Sequence, residues 1–166
     1  MSRKLDLKQF DNDLFSNLTM SVYSKPNTKE IYNFLKELDC DFVPPLTSRV
    51  ILSDYVEKIC RLAICIIVRE QNKIVGLSAI YCNDQINRRA FLTSFAVKKH
   101  LRRKGVATKL FNESLKVARS KNMSHFSWEV NSKNKKAMLF YENIAKGAIS
   151  KKINNSDERI LMSLEL

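Results

Sequence analysis

Apolar residues recur along the chain with two different spacings, and the spacing separates predicted strands from predicted helices. The run at residues 62–68 (LAICIIV) is continuously apolar and rich in β-branched residues, which is typical of a central strand covered on both faces. Shorter apolar runs bounded by polar turns predict the other strands. The predicted strands span residues 19–23, 62–68, 74–81, 90–97, 125–130, about 148–153 and 159–164.

Four segments between these strands have helical periodicity. In the first, Ile31, Phe34, Leu35 and Leu38 follow the i, i+3, i+4, i+7 pattern of one buried helix face. A loop over residues 41–47 is expected next, because its two consecutive prolines cannot continue that helix. The predicted helices begin at about residue 28, run from an N-cap at Ser53 to about 60, and span about 104–121 and 134–144.

The third predicted helix is amphipathic, so it should pack one face on the sheet and leave the other in water. Its apolar positions are expected to form the buried stripe, and its charged positions the solvent face. The expected buried residues are Ala107, Leu110, Phe111, Leu115 and Ala118, and the expected solvent-facing residues are Lys109, Glu113, Lys116 and Arg119.

The order of these elements, βααβββαβαββ, predicts a mixed α/β sheet flanked by helices. A chain of 166 residues is large enough for one domain with its own core, and residues 1–166 are expected to form a single one. Residues 1–18 are expected to be irregular. We found no internal repeat and no low-complexity linker.

Composition narrows the class of protein. No apolar run reaches the roughly 20 residues that span a bilayer, and no signal-peptide core is present, so we expect a cytoplasmic protein without a membrane partner. The four cysteines form no CxxC pair and lie far in sequence from both histidines, so no metal site is expected. Cys60, Cys65 and Cys82 are interpreted as buried thiols.

Positive charge is concentrated in one segment. The chain has a net charge of +12, and residues 98–152 hold 15 of its 29 Lys and Arg residues but only 3 of its 17 Asp and Glu residues. That segment alone therefore accounts for the whole excess. Concentration of this kind indicates a polyanionic ligand, either a phosphorylated cofactor or a nucleic acid.

Within this segment, residues 97–107 (VKKHLRRKGVA) pass from a strand through a basic turn into a helix. A helix N-terminus presents backbone N–H groups without intrahelical partners, and its dipole favours an anion. Gly105 would let a phosphate approach the backbone, and the small Ala107 keeps the first helical turn open. We interpret the turn as a phosphate-binding site.

Two motifs resemble the GNAT superfamily of acetyl-CoA-dependent N-acyltransferases. Residues 102–107 (RRKGVA), with Val97 upstream, match the Arg/Gln-x-x-Gly-x-Gly/Ala cofactor motif, and residues 129–142 (EVNSKNKKAMLFYE) resemble the Asn-x-x-Ala-x-x-Phe-Tyr-Glu segment. The element order also fits, so the resemblance covers roughly residues 19–166. It implies a mostly antiparallel GNAT-like sheet in which the fourth and fifth predicted strands diverge.

The resemblance implies that acetyl-CoA is bound by the turn, the fourth strand and the last helix. Backbone amides in the turn would hold the pyrophosphate, Arg102 and Lys104 would add charge, and the strand would pair with the pantetheine arm. Asn134 would hydrogen-bond the pantetheine while Phe140 packs on the cofactor, unless Phe140 is simply a core aromatic. The implied cofactor-binding residues are Phe95, Ala96, Val97, Arg102, Arg103, Lys104, Gly105, Val106, Ala107, Thr108, Asn134, Ala137 and Phe140.

The family pattern also implies two catalytic residues. Tyr141 would be the acid for the departing thiolate, and Glu129 the general base for the amine, directly or through water. A buried structural tyrosine and a solvated or lysine-paired glutamate are the alternatives. Two departures from the family pattern stand out: Phe91 occupies the place of a glutamate found in histone-type members, and residues 142–148 make a longer turn than usual.

The predicted function is transfer of acetyl from acetyl-CoA to the primary amine of a small molecule, for example an amino sugar, by direct attack in a ternary complex. A protein N-terminal or lysine acetyltransferase is the alternative; a non-catalytic nucleic-acid-binding or acyl-CoA-sensing domain is the second. No nucleic-acid partner is expected, and a homodimer stays open.

The acceptor is expected to lie against the first two helices, the loop 41–47 and the turn 81–84. A phosphate-bearing acceptor would use the basic rim at Lys98, Lys99 and His100. Five carboxylates could recognise the amine, or each could simply belong to a solvated face: Asp39, Asp41, Asp54, Glu57 and Asp84.

Overall fold

The computed structural model describes residues 2–5, 16–153 and 156–166, and it places eight strands and four α-helices in the order ββααβββαβαββ. Three short 3₁₀ helices lie between them, at Asp39–Asp41, Leu46–Ser48 and Lys99–Leu101. The strands are β1 Ser2–Leu5, β2 Leu18–Tyr23, β3 Ile64–Glu70, β4 Lys73–Asp84, β5 Arg89–Val97, β6 His125–Asn131, β7 Ile149–Ile153 and β8 Ser156–Glu165. The helices are α1 Thr28–Glu37, α2 Leu52–Leu62, α3 Val106–Ser120 and α4 Lys135–Ile144.

All eight strands belong to one sheet, in the spatial order β1-β2-β3-β4-β5-β6-β8-β7. Every neighbouring pair is antiparallel except β5 and β6, which run parallel. The mixed, mostly antiparallel sheet predicted from the sequence is therefore confirmed. A parallel pair needs a crossover, and α3 supplies it between β5 and β6.

The N-terminal segment differs from the prediction. Residues 2–5 were expected to be irregular, but they pair with β2, with Ser2 opposite Tyr23 and Leu5 opposite Met20. This pairing satisfies the outer backbone edge of β2, which would otherwise be exposed. The remainder of the N-terminal prediction, residues 6–15, lies outside the described residues.

The sheet is covered by helices on both faces, which gives two apolar cores. Ile31 of α1 and Ile59 of α2 pack with Ile67 in one, while Phe111 of α3 packs with Ile66 in the other. Alternate residues of β3 thus enter opposite cores, as expected for its continuously apolar sequence. Among the described residues, no helix is long and apolar enough to cross a membrane.

The helix starts correct two predictions. The residue that caps α2 is Ile51, not Ser53, whose hydroxyl instead donates to Oδ1 of the neighbouring Asp54 at 3.0 Å. The third predicted helix begins at Val106, because Gly105 is its N-cap with φ 81° and ψ −6°. A residue in the left-handed region cannot be part of the right-handed helix.

The face of α3 that packs on the sheet also differs in part from the predicted stripe. Ser114 is fully buried, and its hydroxyl lies 2.7 Å from that of Ser78 on β4, so a hydrogen-bonded pair of serines joins helix and sheet inside the core. Ala107, Lys109 and Glu113 are half-buried. The prediction that Lys109 and Glu113 face water is therefore wrong, because the buried face of α3 is wider than its apolar residues indicate.

Candidate active site

The parallel strands β5 and β6 pair over only four residues and then separate. Their register runs from Arg89 opposite His125 to Leu92 opposite Trp128, and beyond that point the two strands are not paired with each other. The separated part of β5 extends to Val97 and that of β6 to Asn131. The space between these separated parts, which we call the notch, leaves backbone N–H and C=O groups of β5 free to pair with an extended ligand.

The separation begins at a β-bulge. Ala79 of β4 pairs with Ser94 and Ile80 pairs with Leu92, so Thr93 is an extra residue on β5 without a partner on β4. Its backbone carbonyl accepts a hydrogen bond of 2.6 Å from the hydroxyl of Tyr55 on α2. Bulges bend a strand and redirect it, and this one lies where β5 leaves β6. Tyr55 therefore fixes the backbone at the start of the notch.

The turn that follows β5 leads directly into α3. Arg103 and Gly105 both have positive φ, 60° and 81°, and no side chain caps the helix that begins at Val106. The first N–H groups of α3 thus face outward from a glycine N-cap, as an anion site requires. The predicted phosphate-binding turn therefore has suitable backbone geometry.

The side chain of Arg102 points elsewhere than the resemblance implied. Its Nε donates to the carbonyl of Val97 at 2.8 Å, and its terminal nitrogen donates to Oδ2 of Asp41 at 2.8 Å. Lys99 lies 3.1 Å from the other oxygen of Asp41. Although burial opposes it, the hydrogen bonds from Lys99 and Arg102 hold the pKa of Asp41 below its usual value. Arg102 therefore braces the turn against the α1–α2 connection, and the positive charge it offers a phosphate is offset.

The rest of the basic rim is also paired. Nζ of Lys98 lies 2.7 Å from Glu37 of α1, and Nε2 of His100 lies 3.0 Å from Glu70 of β3. These carboxylates belong to elements that are far from the turn in sequence. A phosphate-bearing acceptor that used this rim would have to displace them.

Three predicted cofactor-binding residues border the notch: Asn134, which is the N-cap of α4, and Ala137 and Phe140 within that helix. Oδ1 of Asn134 accepts from the backbone N–H of Ala137 at 3.1 Å and caps α4, which leaves the amide nitrogen of Asn134 for a ligand. Phe140 stacks on Phe95 of β5, with ring centroids 5.9 Å apart.

The longer turn that follows α4 contains Gly147, whose φ is 90°.

Tyr141 is buried beside the notch. Its ring lies 5.1 Å from that of Trp128 and 5.8 Å from that of Phe111, and the residue is 7% exposed. Burial raises the pKa of its phenol well above the usual value. Among the described residues its hydroxyl has no hydrogen-bond partner, so it is available to a ligand.

A cavity of about 490 Å³ joins the notch to the α1–α2 connection. The region of the 41–47 loop lies on one wall, as expected, whereas residues 81–84 do not line the cavity. Phe91, which stands in place of the histone-type glutamate, lines it too. The notch and the cavity together form one continuous site, which has Tyr141 and Glu129 in its lining.

Glu129 lies at the exposed end of β6 and is paired with an arginine. Its Oε2 accepts from Nε of Arg159 on β8 at 3.0 Å. Arg159 stands opposite Asn131 in the β6–β8 register, so it reaches Glu129 diagonally along the ladder. Glu158, a second carboxylate in the cavity lining, forms an ion pair with Lys133.

The five carboxylates expected to recognise an amine lie outside the cavity lining. Asp39 accepts from the backbone N–H and the hydroxyl of Thr47, at 2.8 and 2.7 Å, and thereby closes the loop between the two 3₁₀ helices. Asp84 accepts from Asn87 at 3.0 Å within the β4–β5 turn. The structure therefore does not bring these five carboxylates into the cavity: Asp39 and Asp84 hold local turns, and Asp41 is paired with Lys99 and Arg102.

Sequence reasoning missed Arg49, Tyr55, Thr93 and Arg159 as residues of the site. Each is an ordinary residue of its own element, and only the fold places them around one cavity. In the part of the chain that the structure describes, no three His, Cys, Asp or Glu side chains form a group that could hold a metal ion.

The site thus combines, in one α/β protein, a sheet that opens beside a helix N-terminus and a cavity that connects to the opening. The chain belongs to the acetyltransferase (GNAT) family, whose sequence profile matches residues 29–145. It is accordingly an acetyl-CoA-dependent acetyltransferase by family. No curated protein matches the chain in sequence.

Solved structures share this fold at low sequence identity. A Desulfovibrio desulfuricans protein described as a GNAT acetyltransferase is 14% identical over 89% of this chain and 98% of its own, with a TM-score of 0.71. The ribosomal-protein-S18-alanine N-acetyltransferase of Escherichia coli is 15% identical over 88% and 93%, with a TM-score of 0.66. A Bacillus anthracis protein described as a streptothricin acetyltransferase, in complex with acetyl coenzyme A, is 23% identical over 63% of each chain, with a TM-score of 0.52.

Proposed function

We propose that this protein is an N-acetyltransferase that transfers acetyl from acetyl-CoA to the primary amine of a small molecule by direct attack in a ternary complex. The observation that carries the proposal is the separation of β5 from β6 after Leu92 and Trp128, beside the buried Tyr141. This geometry offers a channel for an extended thioester on one side and a cavity for an amine on the other. Both ligands then meet without a covalent acyl-enzyme.

The residues present fit acetyl-CoA, which supplies the activated acetyl group as a thioester. The uncapped N-terminus of α3 behind Gly105 is suited to the pyrophosphate. The unpaired edge at residues 95–97 is suited to the amides of the pantetheine arm, except that the Val97 carbonyl is already held by Arg102. The amide nitrogen of Asn134 supplies a further donor.

Glu129 is the proposed general base. It lies in the lining of the cavity, where an incoming amine would lose a proton to become nucleophilic. Arg159 holds Oε2, so Oε1 is the oxygen that is free to accept a proton directly or through water. The pairing with arginine keeps the carboxylate in one orientation.

Tyr141 is the proposed partner of the departing sulfur. Because burial raises the pKa of its phenol, Tyr141 stays protonated through the neutral range. A thiol has an ordinary pKa of about 8.5, so complete proton transfer from Tyr141 to a thiolate would be uphill. Its contribution is therefore a donated hydrogen bond that stabilises the developing negative charge.

The alternatives are less well supported. Single-stranded nucleic-acid binding relies on accessible aromatic rings among basic residues, whereas Phe111 and Phe126 are fully buried. Protein or peptide acetylation stays the alternative, because the cavity opens at the α1–α2 connection. A domain that only binds acyl-CoA has no need of a buried tyrosine hydroxyl that is left open to the ligand, so Tyr141 favours catalysis over sensing.

A thiol-release assay tests the proposal, with acetyl-CoA and a panel of amines, amino sugars and N-terminal peptides compared by kcat/KM. Glu129→Gln should lower the rate chiefly at lower pH, where the amine is protonated, by about 10²–10⁴-fold for a positioned base. Glu158→Gln is the matched control on the neighbouring cavity carboxylate. An unchanged pH–rate profile for Glu129→Gln would give Glu129 a structural role, and higher kcat/KM for peptides would replace the small-molecule assignment.

A further inference from the structure

The charged side chains at the acceptor end of the cavity are not all paired. Its two carboxylates, Glu129 and Glu158, are each paired with a cation, Arg159 and Lys133 respectively. Arg49 also lines the cavity, and within the described residues it forms no ion pair. The acceptor end therefore has one positive charge without a protein counterion.

Arg49 is carried on a well-braced backbone. It follows the 3₁₀ helix Leu46–Ser48, and its N–H donates to the carbonyl of Leu46 at 3.0 Å. The same segment is held from the other side by Asp39, through the two hydrogen bonds to Thr47. The side chain of Arg49 is exposed, but the backbone that carries it is held in place at the edge of the cavity.

The surface around Arg49 is apolar. Phe42, Val43, Pro44 and Val50 belong to the same connection and line the cavity beside it. Val43 is 41% exposed, so part of this surface is open to contact an acceptor. A ligand that fits here has an apolar body and places a complementary group at the guanidinium.

We infer that the acceptor carries an anionic group, carboxylate or phosphate, in addition to its amine, and that Arg49 binds that group. This inference rests on the proposed function. Arginine presents a planar set of donors that matches both kinds of oxyanion. An amine without such a group would bring its positive charge toward Arg49 with no unpaired carboxylate to offset it.

The test compares acceptors that differ in one group. Leucine, leucinamide and 3-methylbutylamine share an apolar body, and only leucine has a carboxylate; glucosamine 6-phosphate and glucosamine make the same comparison for phosphate. For at least one of the two series, we expect kcat/KM of the anionic member to be higher by about ten-fold or more. A factor of about ten is the lower end of what a hydrogen bond to a charged group contributes. The series with the larger ratio identifies the oxyanion.

Variants show whether Arg49 is responsible. Arg49→Gln should remove the preference for the anionic acceptor, so that kcat/KM falls about ten-fold or more further for the anionic acceptor than for its neutral counterpart. Arg49→Lys should restore part of the preference. Arg61→Gln, on the exposed side of α2 and outside the cavity lining, is the matched control and should change neither.

Three results would overturn the inference. Equal kcat/KM for anionic and neutral acceptors, or a preference for spermidine, would show that the site does not select an anion. An equal loss for all acceptors in Arg49→Gln would show that Arg49 only supports the fold. Absence of thiol release with every acceptor would contradict the proposed function as well. Thiol release without a preference for anionic acceptors would contradict only the inference about Arg49.

Discussion

The hydroxyl of Tyr55 is expected to hold the bulge at which the sheet opens, and Tyr55→Phe tests this role. The substitution keeps the ring and removes the donor to the Thr93 carbonyl, at 2.6 Å. An unsatisfied buried carbonyl costs about 1–3 kcal/mol. Because Thr93 lines the cavity, water can reach it, and we expect the lower end, about 1 kcal/mol.

This free energy translates into a small change in stability and a larger change in rate. For a chain of this length, about 1 kcal/mol lowers Tm by roughly 2–4 °C. A displaced bulge would also move the β5 backbone next to the reacting groups, and a misplacement of about 1 Å can cost roughly 10²-fold in rate. We therefore expect kcat to fall between about ten-fold and 10²-fold, with acetyl-CoA affinity nearly unchanged.

Thermal denaturation, calorimetry with acetyl-CoA and turnover measure these three quantities on one preparation. Tyr32→Phe on α1 is the matched control, since the Tyr32 ring contacts Lys36 and its hydroxyl makes no hydrogen bond among the described residues. It should leave Tm and kcat as in the wild type. If Tyr55→Phe behaves like Tyr32→Phe, the bulge does not depend on this hydrogen bond and the reasoning is refuted.

Three further predictions concern the turn, the tyrosine and the core. Gly105→Val places a β-branched residue at φ 81°, at a strain of roughly 1–2 kcal/mol, and calorimetry should show weaker acetyl-CoA binding than for Lys116→Gln on the exposed side of α3; equal affinities would reject the phosphate-binding turn. Tyr141→Phe removes a hydrogen-bond donor to the developing thiolate, so it should lower kcat by about 10²–10³-fold with acetyl-CoA affinity retained, and a loss of affinity in parallel would instead indicate a packing role. Burial raises the pKa of Cys65 to about 12, so its contribution to stability is complete below the unfolded value of about 8.5 and lost between there and 12. Urea denaturation should therefore show stability falling across that alkaline window, less steeply in Cys65→Ala, and an identical slope in both proteins would contradict the assignment.

Periodicity in the sequence predicted most of the fold because the cores are built from regular apolar spacing. Residues 64–68 of the apolar run and the helical pattern around Phe34 each identify an element whose burial agrees with the structure. The predicted strand began too early, because Leu62 is the last residue of α2 and is 41% exposed. β1 was missed because four residues, two of them basic, have no distinguishing pattern until β2 offers them an edge. Ser53 was mistaken for a cap because residue type alone does not reveal where the backbone turns.

The candidate site divides in the same way. The turn at Gly105 and the segment around Tyr141 are local in sequence, so motifs could locate them. The acceptor side depends on Arg49, Tyr55 and Arg159, which come from separate elements and are brought together only by the register of the sheet and the packing of α2. No local pattern could show that Glu129 is paired with a residue 30 positions away.

The link between Asp41 and Arg102 has a consequence for attempts to change what the protein acetylates. Asp41 belongs to the same connection that carries the acceptor wall, yet its two cations belong to the turn that precedes α3. Exchanging that connection for the corresponding segment of another family member would therefore also remove the contacts of Asp41 with Lys99 and Arg102. The turn proposed to bind acetyl-CoA would lose that support. A successful graft should keep an acidic residue at position 41, and relatives that differ in acceptor can be compared at this position before any segment is transplanted.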